Sequence, residues 1–300
     1  MPRHSVIVVT WNAAEVLDRC LDSVRRQEVS GGIETIVVDN ASTDETAGVL
    51  ARHSDHVTAI RNEENRGFSG GNNQGAQAAR GDVLHFLNSD TELLQQDALE
   101  RLMLELARPG VGLVGPRLEN PDGTLQSSCR AHPGVLRALL VGAGAHRALP
   151  NPALARVFPA GWSHDEARDV DWVVGAALSV RADAFRYVGG FWPIHYAEEQ
   201  ELARELQRCG FRVRFVPGVR VMHVENVSNK QRFSLPERAA RTAEAERAFV
   251  DKHYTRRRGG LIRRITASGH LARAAALRRL GHAERADVYA AMAGPLLRGG

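Results

Sequence analysis

Carboxylate, amide and hydroxyl side chains recur at the ends of apolar or glycine-rich runs in this chain. Thr10 and Asn12 close the run from Ser5, Asp39 closes the run from Thr35, and Asn88 and Asp90 close the run from Val83. Between the last two, Asn65, Gly67, Gly70, Gly71, Asn72, Asn73 and Gly75 form a glycine- and asparagine-rich segment. A carboxylate at a strand end can accept charge-assisted hydrogen bonds from a pyrimidine N–H or a ribose hydroxyl, and an aspartate offers a hard oxygen to Mg²⁺ or Mn²⁺. Further on, Glu198, Glu199 and Glu201 open an acidic stretch, and His223 follows an apolar run. A glutamate suits proton transfer, and an imidazole suits a metal or a phosphate. Each also has a plainer reading. Asp39 can cap the turn through Ser42, Asp90 can be a turn residue, the glutamates can favour the positive end of a helix, and His223 can be a packing residue.

The elements that position these groups follow from periodicity. Ile7–Val9 reads as a strand, and Val16, Leu17, Cys20, Leu21 and Val24 then recur at helical spacing, with Asn12 as the expected N-cap and Glu15 three residues on. Ile36–Val38 repeats the pattern, and Ser42 with Glu45 predicts a second capping box before a helix near Asp44 to Arg52. Val57–Ile60, Val83–Leu87 and Val111–Val114 read as further strands. Trp172 to Val180 reads as one buried strand, and Glu198 to Arg208 as a helix. Prolines at 116, 121, 133, 150, 152 and 159 predict loops and a hairpin between them. Alternation of this kind predicts an α/β fold, a largely parallel sheet with helices on both faces. A domain over 1–233 followed by a helical extension over 234–300, opened by a capping box at Ser234 and Glu237, is the expected organisation.

Composition bounds the function. With 300 residues, 43% hydrophobic and 25% charged, the chain is globular. No run approaches the roughly 20 apolar residues that span a bilayer, and Thr10–Asn12 interrupts any leader, so a cytoplasmic protein is expected. Cys20, Cys129 and Cys209 lie too far apart to suggest a disulfide framework or a thiolate metal site and are expected to be packing residues. Net charge is +4, yet Arg256, Arg257, Arg258, Arg263, Arg264, Arg273, Arg278 and Arg279 crowd the last fifth of the chain. Leu261, Ile262, Ile265, Leu271, Leu277 and Leu280 interleave with them, which fits peripheral contact with the inner face of the cell membrane or a solvated helix packed on the domain. Nucleic acid is not expected as a partner, since the tail has little aromatic content. Self-association is left open. Thr10-Trp11-Asn12-Ala13-Ala14 lacks the glycines of a dinucleotide fingerprint, and no phosphate-loop motif is present.

Taken in order over about residues 5 to 230, these segments resemble the GT-A fold glycosyltransferases of family 2, in particular their rhamnosyltransferase-like branch. The resemblance implies an inverting, metal-dependent transfer of a sugar from a nucleotide diphosphate to a cell-envelope or lipid-linked glycan acceptor. It implies that Thr10, Asn12 and Asp39 hold the nucleoside, and it adds Asn65, Gly71, Asn72, Asn88 and Asp90 to the nucleotide-sugar site. Asn88-Ser89-Asp90 stands where the family carries Asp-x-Asp. Its first carboxylate is absent, as is common in the rhamnose-transferring branch, so dTDP-rhamnose is the expected donor, with galactofuranose, N-acetylglucosamine and glucose donors left open. Asp90 and His223 are then the expected ligands of Mg²⁺ or Mn²⁺, while Trp172, Gly175, Ala176 and Glu198 line the acceptor side. Glu199 falls where the family places an aspartate base. The extra methylene moves its carboxylate, which matters to a positioned proton transfer. The departure leaves open a non-catalytic nucleotide-sugar sensor or an inactive partner subunit of the same fold.

Overall fold

A computed structural model of the chain describes residues 3–142, 162–193, 197–224 and 234–298. The loops expected around Pro150, Pro152 and Pro159 lie outside the described residues. The first three strands, β1 (His4–Thr10), β2 (Ile33–Asp39) and β3 (Val57–Arg61), alternate with helices α1 (Ala14–Arg25) and α2 (Thr46–Arg52). Helix α3 (Gly67–Ala78) leads into β4 (Val83–Asn88), a short β5 (Thr91–Leu93) and α4 (Ala98–Leu106). Strand β6 (Val111–Glu119) follows, turns through residues 120–124 into β7 (Leu125–Gln126), and continues to β8 (Cys129–Arg130) and α5 (Val135–Gly142). After β9 (Arg168–Val170) and β10 (Trp172–Val173) come β11 (Ala177–Arg181), α6 (Ala182–Tyr187), α7 (Glu198–Arg208) and β12 (Arg212–His223). The chain ends in α8 (Leu235–His253), α9 (Arg256–Arg279) and α10 (Ala283–Leu297).

The main sheet has the order β3-β2-β1-β4-β11-β6-β12-β5. Strands β1, β2, β3, β4, β6 and β12 run one way, and β11 lies antiparallel between β4 and β6. This is the mostly parallel α/β architecture expected from the alternation. Strands of such a sheet are covered on both faces, which is why β1 and β4 are buried along almost their whole length and apolar but for Ser5, the buried His4–His85 pair and their polar last residues. Parallel register aligns the carboxyl ends: Thr10 pairs with Asp39, Asp39 with Arg61, and Val9 with Asn88. The order also reverses at β1, since β2 and β3 lie on one side and β4 on the other. A crevice outside the carboxyl ends at such a reversal is where open α/β sheets bind ligands.

Local capping departs from expectation. The N-cap of α1 is Ala13, not Asn12, and the Ala14 N–H at its start donates to Asp44 Oδ2 at 3.1 Å. Asp44 also accepts from the Thr46 N–H and hydroxyl, at 3.1 and 2.6 Å, so it caps α2 in place of the Ser42–Glu45 box. The expected strand over 172–180 is two strands, β10 and β11, broken at Val174–Ala176. Cys209 is exposed rather than packed, whereas Cys20 and Cys129 are buried.

The described residues divide into two compact units. The first comprises 3–130, 163–193 and 198–224; the second gathers 131–142 with 234–298. In the second, the capping box at Ser234 and Glu237 forms as expected. Helices α5 and α9 meet where Gly142 faces Gly269, a contact in which a Cβ on Gly269 would lie 2.6 Å from the Gly142 Cα. Ile262, grouped by sequence with membrane-facing residues, is buried in the protein, while Leu261 is 49% and Leu271 46% exposed.

The glycine-rich segment is a helix, despite the entropic cost of glycine there. A Cβ on Gly71 would lie 2.8 Å from Val9 Cγ1, and one on Gly75 would lie 2.5 Å from Ile7 Cγ2. The missing side chains let α3 lie directly on β1 and β2. Gly75→Ala gains about 1 kcal/mol of helix propensity, but its methyl meets a β-branched side chain with no room to turn, an overpacking cost of about 1–3 kcal/mol. The expected outcome is net destabilisation, measured as a lowered urea midpoint with an unchanged m-value; a midpoint at or above wild type would contradict the close approach.

Candidate active site

Thr10 and Asp39 sit side by side at the ends of β1 and β2, both almost wholly buried. The Asp39 carboxylate accepts from the Ser42 N–H at 2.9 Å and from Arg61 Nε at 3.3 Å. The turn-capping reading of Asp39 is therefore true, yet two carboxylate oxygens offer about four lone-pair directions, so capping leaves capacity for a ligand. Thr10 Oγ1 is buried with no hydrogen-bond partner among the described residues. Such an orphan at a crevice is the mark of a group that meets a ligand. Asn12 takes a left-handed backbone, φ 47°, and its side chain accepts from the Thr43 N–H at 2.8 Å. It thus clips the 40–44 loop in place beside Asp39.

Helix α3 packs beside the same strand ends, where Asn40 Nδ2–H donates to the Gly67 carbonyl at 3.1 Å. Asn65 Oδ1 accepts from the Gly67 N–H at 2.8 Å and so starts the helix, whose Gly71 comes within van der Waals reach of Val9 and Asn40. Asn72 donates to the Phe68 carbonyl at 3.0 Å, while its buried Oδ1 has no partner among the described residues.

Strand β4 ends at Asn88, and the turn to β5 carries Asp90. Antiparallel pairing of β5 with β12 sets His223 opposite Thr91, and the Val224 N–H donates to the Asp90 carbonyl at 3.0 Å. His223 Nε2 consequently lies 3.3 Å from Asp90 Oδ1, both side chains being about nine-tenths buried. Its other nitrogen, Nδ1, donates to Gln126 Oε1 at 2.7 Å. Nε2 of the neutral ring then faces the carboxylate oxygen with a lone pair, and in the protonated ring it donates to that oxygen. One carboxylate and one imidazole, the latter oriented by an outer hydrogen bond, fit Mn²⁺ or Mg²⁺. Gln126 was not a sequence candidate. Lying just after the Pro121-Asp122-Gly123 turn, it carries no spacing that ties it to His223 97 residues away.

The third group converges from the other side of β4. The Asn88 N–H donates to the Ala176 carbonyl at 2.8 Å, and the Gly175 N–H next to it donates to Glu199 Oε1 at 3.2 Å. Gly175 is packed against both Phe68 of α3 and the Glu199 carboxyl. Trp172, two residues upstream of Val174, keeps a buried indole N–H without a partner among the described residues. Glu198 and Glu201 are 4% and 2% exposed, which rules out a solvated first turn for α7. Burial, and then the adjacent Glu198 carboxylate, raise the Glu199 pKa from 4.5 to about 7, opposed by the Glu199 and Gly175 N–H groups and the charge of Arg130. A carboxyl poised near neutrality beside a crevice is suited to accept a proton. Arg130, on β8 where it pairs with Trp172, is a second group the motif reading left out.

Residues 5–133 match the family model described as Glycosyl transferase family 2. The O-antigen biosynthesis protein RfbC of Myxococcus xanthus is 29% identical over 76% of this chain and 18% of its own length. An N-acetylglucosaminyl-diphospho-decaprenol L-rhamnosyltransferase of Mycobacterium tuberculosis is 26% identical over 73% of this chain and 75% of its own. Among solved structures, the mannosyltransferase PcManGT from Pyrobaculum calidifontis, in complex with GDP-Man and Mn²⁺, superposes with a TM-score of 0.62 at 20% identity, covering 99% of this chain and 85% of that one. That likeness shows the fold. The chain spans 26%, 18% and 40% of the length of three of the relatives it matches.

Glu199 is neutral below its raised pKa and charged above it. Carbon-detected NMR of the side-chain carboxyl is expected to titrate near pH 7, and Glu198→Gln, which removes the like charge but not the burial, is expected to lower the midpoint part of the way toward 4.5. A wild-type midpoint near 4.5 would remove the electrostatic case for Glu199.

Proposed function

Residues 5–133 being a glycosyl transferase family 2 domain, we propose that this chain is an inverting glycosyltransferase whose base is Glu199. The observation that carries the reading is the convergence of three groups at the ends of β1, β2 and β4: the orphan Thr10 hydroxyl with Asp39, the Asp90–His223 pair, and the raised Glu199 carboxyl. Thr10, Asn12 and Asp39 take the nucleoside, with Asn65, Gly71, Asn72 and Asn88 along the nucleotide sugar. Asp90 and His223 would hold a divalent cation, which when bound would offset the charge of a diphosphate leaving group. Glu199 accepts the proton of the acceptor hydroxyl as that oxygen attacks the anomeric carbon. One base and no second carboxyl in the role of nucleophile give inversion. Trp172, Gly175, Ala176 and Glu198 form the acceptor side. The catalytic domain is proposed within 1–233 and the extension over 234–300, with 131–142 gathered into the unit of the extension.

The donor proposed is dTDP-rhamnose and the acceptor a lipid-linked or cell-envelope glycan. Support comes from Asn88-Ser89-Asp90 and from the mycobacterial rhamnosyltransferase relative. No helix among the described residues is long and apolar enough to cross a membrane. The proposed location is the cytoplasm, with peripheral contact at the membrane through α9. There Arg257, Leu261, Arg264 and Leu271 are exposed and, at spacings of four, three and seven, fall on one stripe. Arginines over exposed leucines suit an anionic bilayer.

Calorimetry is expected to give Mn²⁺-dependent binding of dTDP over UDP, lost in Asp90→Ala. Glu199→Gln is expected to keep that binding and lose transfer by about 10²-fold or more. Near-normal turnover in Glu199→Gln would sink the base assignment, and binding without turnover in the wild type would favour the sensor reading. Sedimentation with phosphatidylglycerol vesicles, but not phosphatidylcholine ones, is expected for the full chain. Arg257→Glu with Arg264→Glu is expected to cut that binding about tenfold or more, at about 1 kcal/mol per arginine near the surface; equal sedimentation of the double variant would exclude α9 as the contact.

A further inference from the structure

The turn between β6 and β7 holds a run of polar side chains whose hydrogen bonds can point only one way. It begins at Asp122, whose carboxylate has no proton to give and accepts from the Thr124 hydroxyl at 2.6 Å and the Thr124 N–H at 2.9 Å. These bonds hold the Asp122 carboxyl below its ordinary 3.8, so it is an acceptor throughout the neutral range. With its proton committed to Asp122, the Thr124 oxygen can only accept, and it does so from Asn120 Nδ2–H at 2.9 Å. That sets the Asn120 amide, leaving its Oδ1 to accept from Gln126 Nε2–H at 3.2 Å. The Gln126 amide is set in turn, and its Oε1 faces His223 Nδ1 at 2.7 Å. An amide oxygen cannot donate, so Nδ1 carries the proton. The lone pair of a neutral His223 is thereby left on Nε2, the nitrogen 3.3 Å from Asp90.

From this we infer that the 120–126 turn is a positioning device: Asp122, Thr124, Asn120 and Gln126 form a directional relay that fixes the His223 tautomer and aims its Nε2 lone pair at the cation site. The inference rests on the reading of Asp90 and His223 as cation ligands. The relay's geometry supplies what His223 alone lacks. An isolated neutral imidazole exchanges its proton between two nitrogens, and the tautomer protonated on Nε2 could instead donate to Asp90, closing the pair against a metal. In the neutral ring, holding the proton on Nδ1 prevents that closure. Gln126 and its partners touch neither nucleotide nor sugar in this role; they act through His223.

Two measurements separate the relay from the cation reading. The first uses metal-free protein labelled with ¹⁵N in its imidazoles, where NMR is expected to find His223 protonated on Nδ1 in the wild type and shifted toward the Nε2–H form in Gln126→Leu. The second is Mn²⁺ binding in the presence of dTDP, followed by calorimetry. Gln126→Leu is expected to weaken it about 10–100-fold, whereas Gln126→Glu, which keeps an acceptor facing Nδ1, stays within a few-fold of wild type. Thr124→Val, which removes only the hydroxyl, is expected to lie between them, and circular dichroism with thermal melts checks that each variant is folded. A wild-type His223 whose neutral ring is protonated on Nε2 and not on Nδ1 overturns the relay. So does full Mn²⁺ affinity in Gln126→Leu when Asp90→Ala and His223→Ala have lost it. If Mn²⁺ binding ignores Asp90 and His223 altogether, the cation reading fails, and the tautomer populations in wild type and Gln126→Leu still decide the relay.

Discussion

The hydrogen bond from the Asn88 N–H to the Ala176 carbonyl joins the two halves of this site. On one side of it, β4 ends among the strand termini that carry Thr10, Asp39 and Asp90. On the other, the turn at Val174–Ala176 presents the Gly175 N–H to Glu199. The bond exists because β11 enters the sheet antiparallel beside β4, so that the chain arrives at Ala176 just where β4 leaves Asn88. A parallel strand in that place would have brought its amino end to the other edge of the sheet. The placement of Glu199 relative to the end of β4 is thus a property of the sheet and not of a flexible loop, as the proposed proton transfer would require.

Two opposite electrostatic problems are solved within this frame. Glu199 is a carboxyl placed where charge is costly, next to another carboxyl, and it answers by holding its proton more tightly. The pair of Asp90 and His223 buries a carboxylate oxygen 3.3 Å from an imidazole nitrogen, a contact that a proton or the proposed cation between them would make favourable. Both strains depend on burial. Exposed to solvent, Glu199 would titrate as an ordinary acid and the Asp90–His223 contact would be worth little. The polar surroundings are correspondingly well ordered. Asn12, Asn40, Asn65 and Asn73 each spend their amides on backbone groups of neighbouring loops, the last with paired bonds of 2.8 and 2.9 Å to Phe191. Among the described residues, Thr10 Oγ1, Asn72 Oδ1 and the Trp172 indole N–H are buried here without a hydrogen-bond partner.

The carboxyl-terminal helices obey different constraints. Helix α9 interrupts its arginines with Gly259 and Gly269, the second of which lets α5 come into backbone contact. Its apolar residues are divided between a buried set that includes Ile262 and an exposed set that includes Leu261. A sequence profile cannot make that division, because adjacent positions differ by about 100° around a helix and only a packing partner says which face is inward.

Strands, helices and their order were legible in the chain because they rest on local regularities. Period-two and period-3.6 patterns, and glycines and prolines at turns, identify β1 to β4 and α7 from their own residues. The positions of Asp39, Asp90, Glu199 and His223 at element ends followed from the same patterns and from the family resemblance. What the chain could not disclose is what depends on neighbours distant in sequence. Asp44 caps α1 across 30 residues, Gly75 makes room for Ile7 across 68, and Gln126 orients His223 across 97. Each is a short-range force, a hydrogen bond or a van der Waals contact, acting between residues that only the folded sheet brings together. Residue types set which groups are able to react, whereas the raised pKa of Glu199 and the spacing of Asp90 from His223 are set by surroundings that do not exist until the chain has packed.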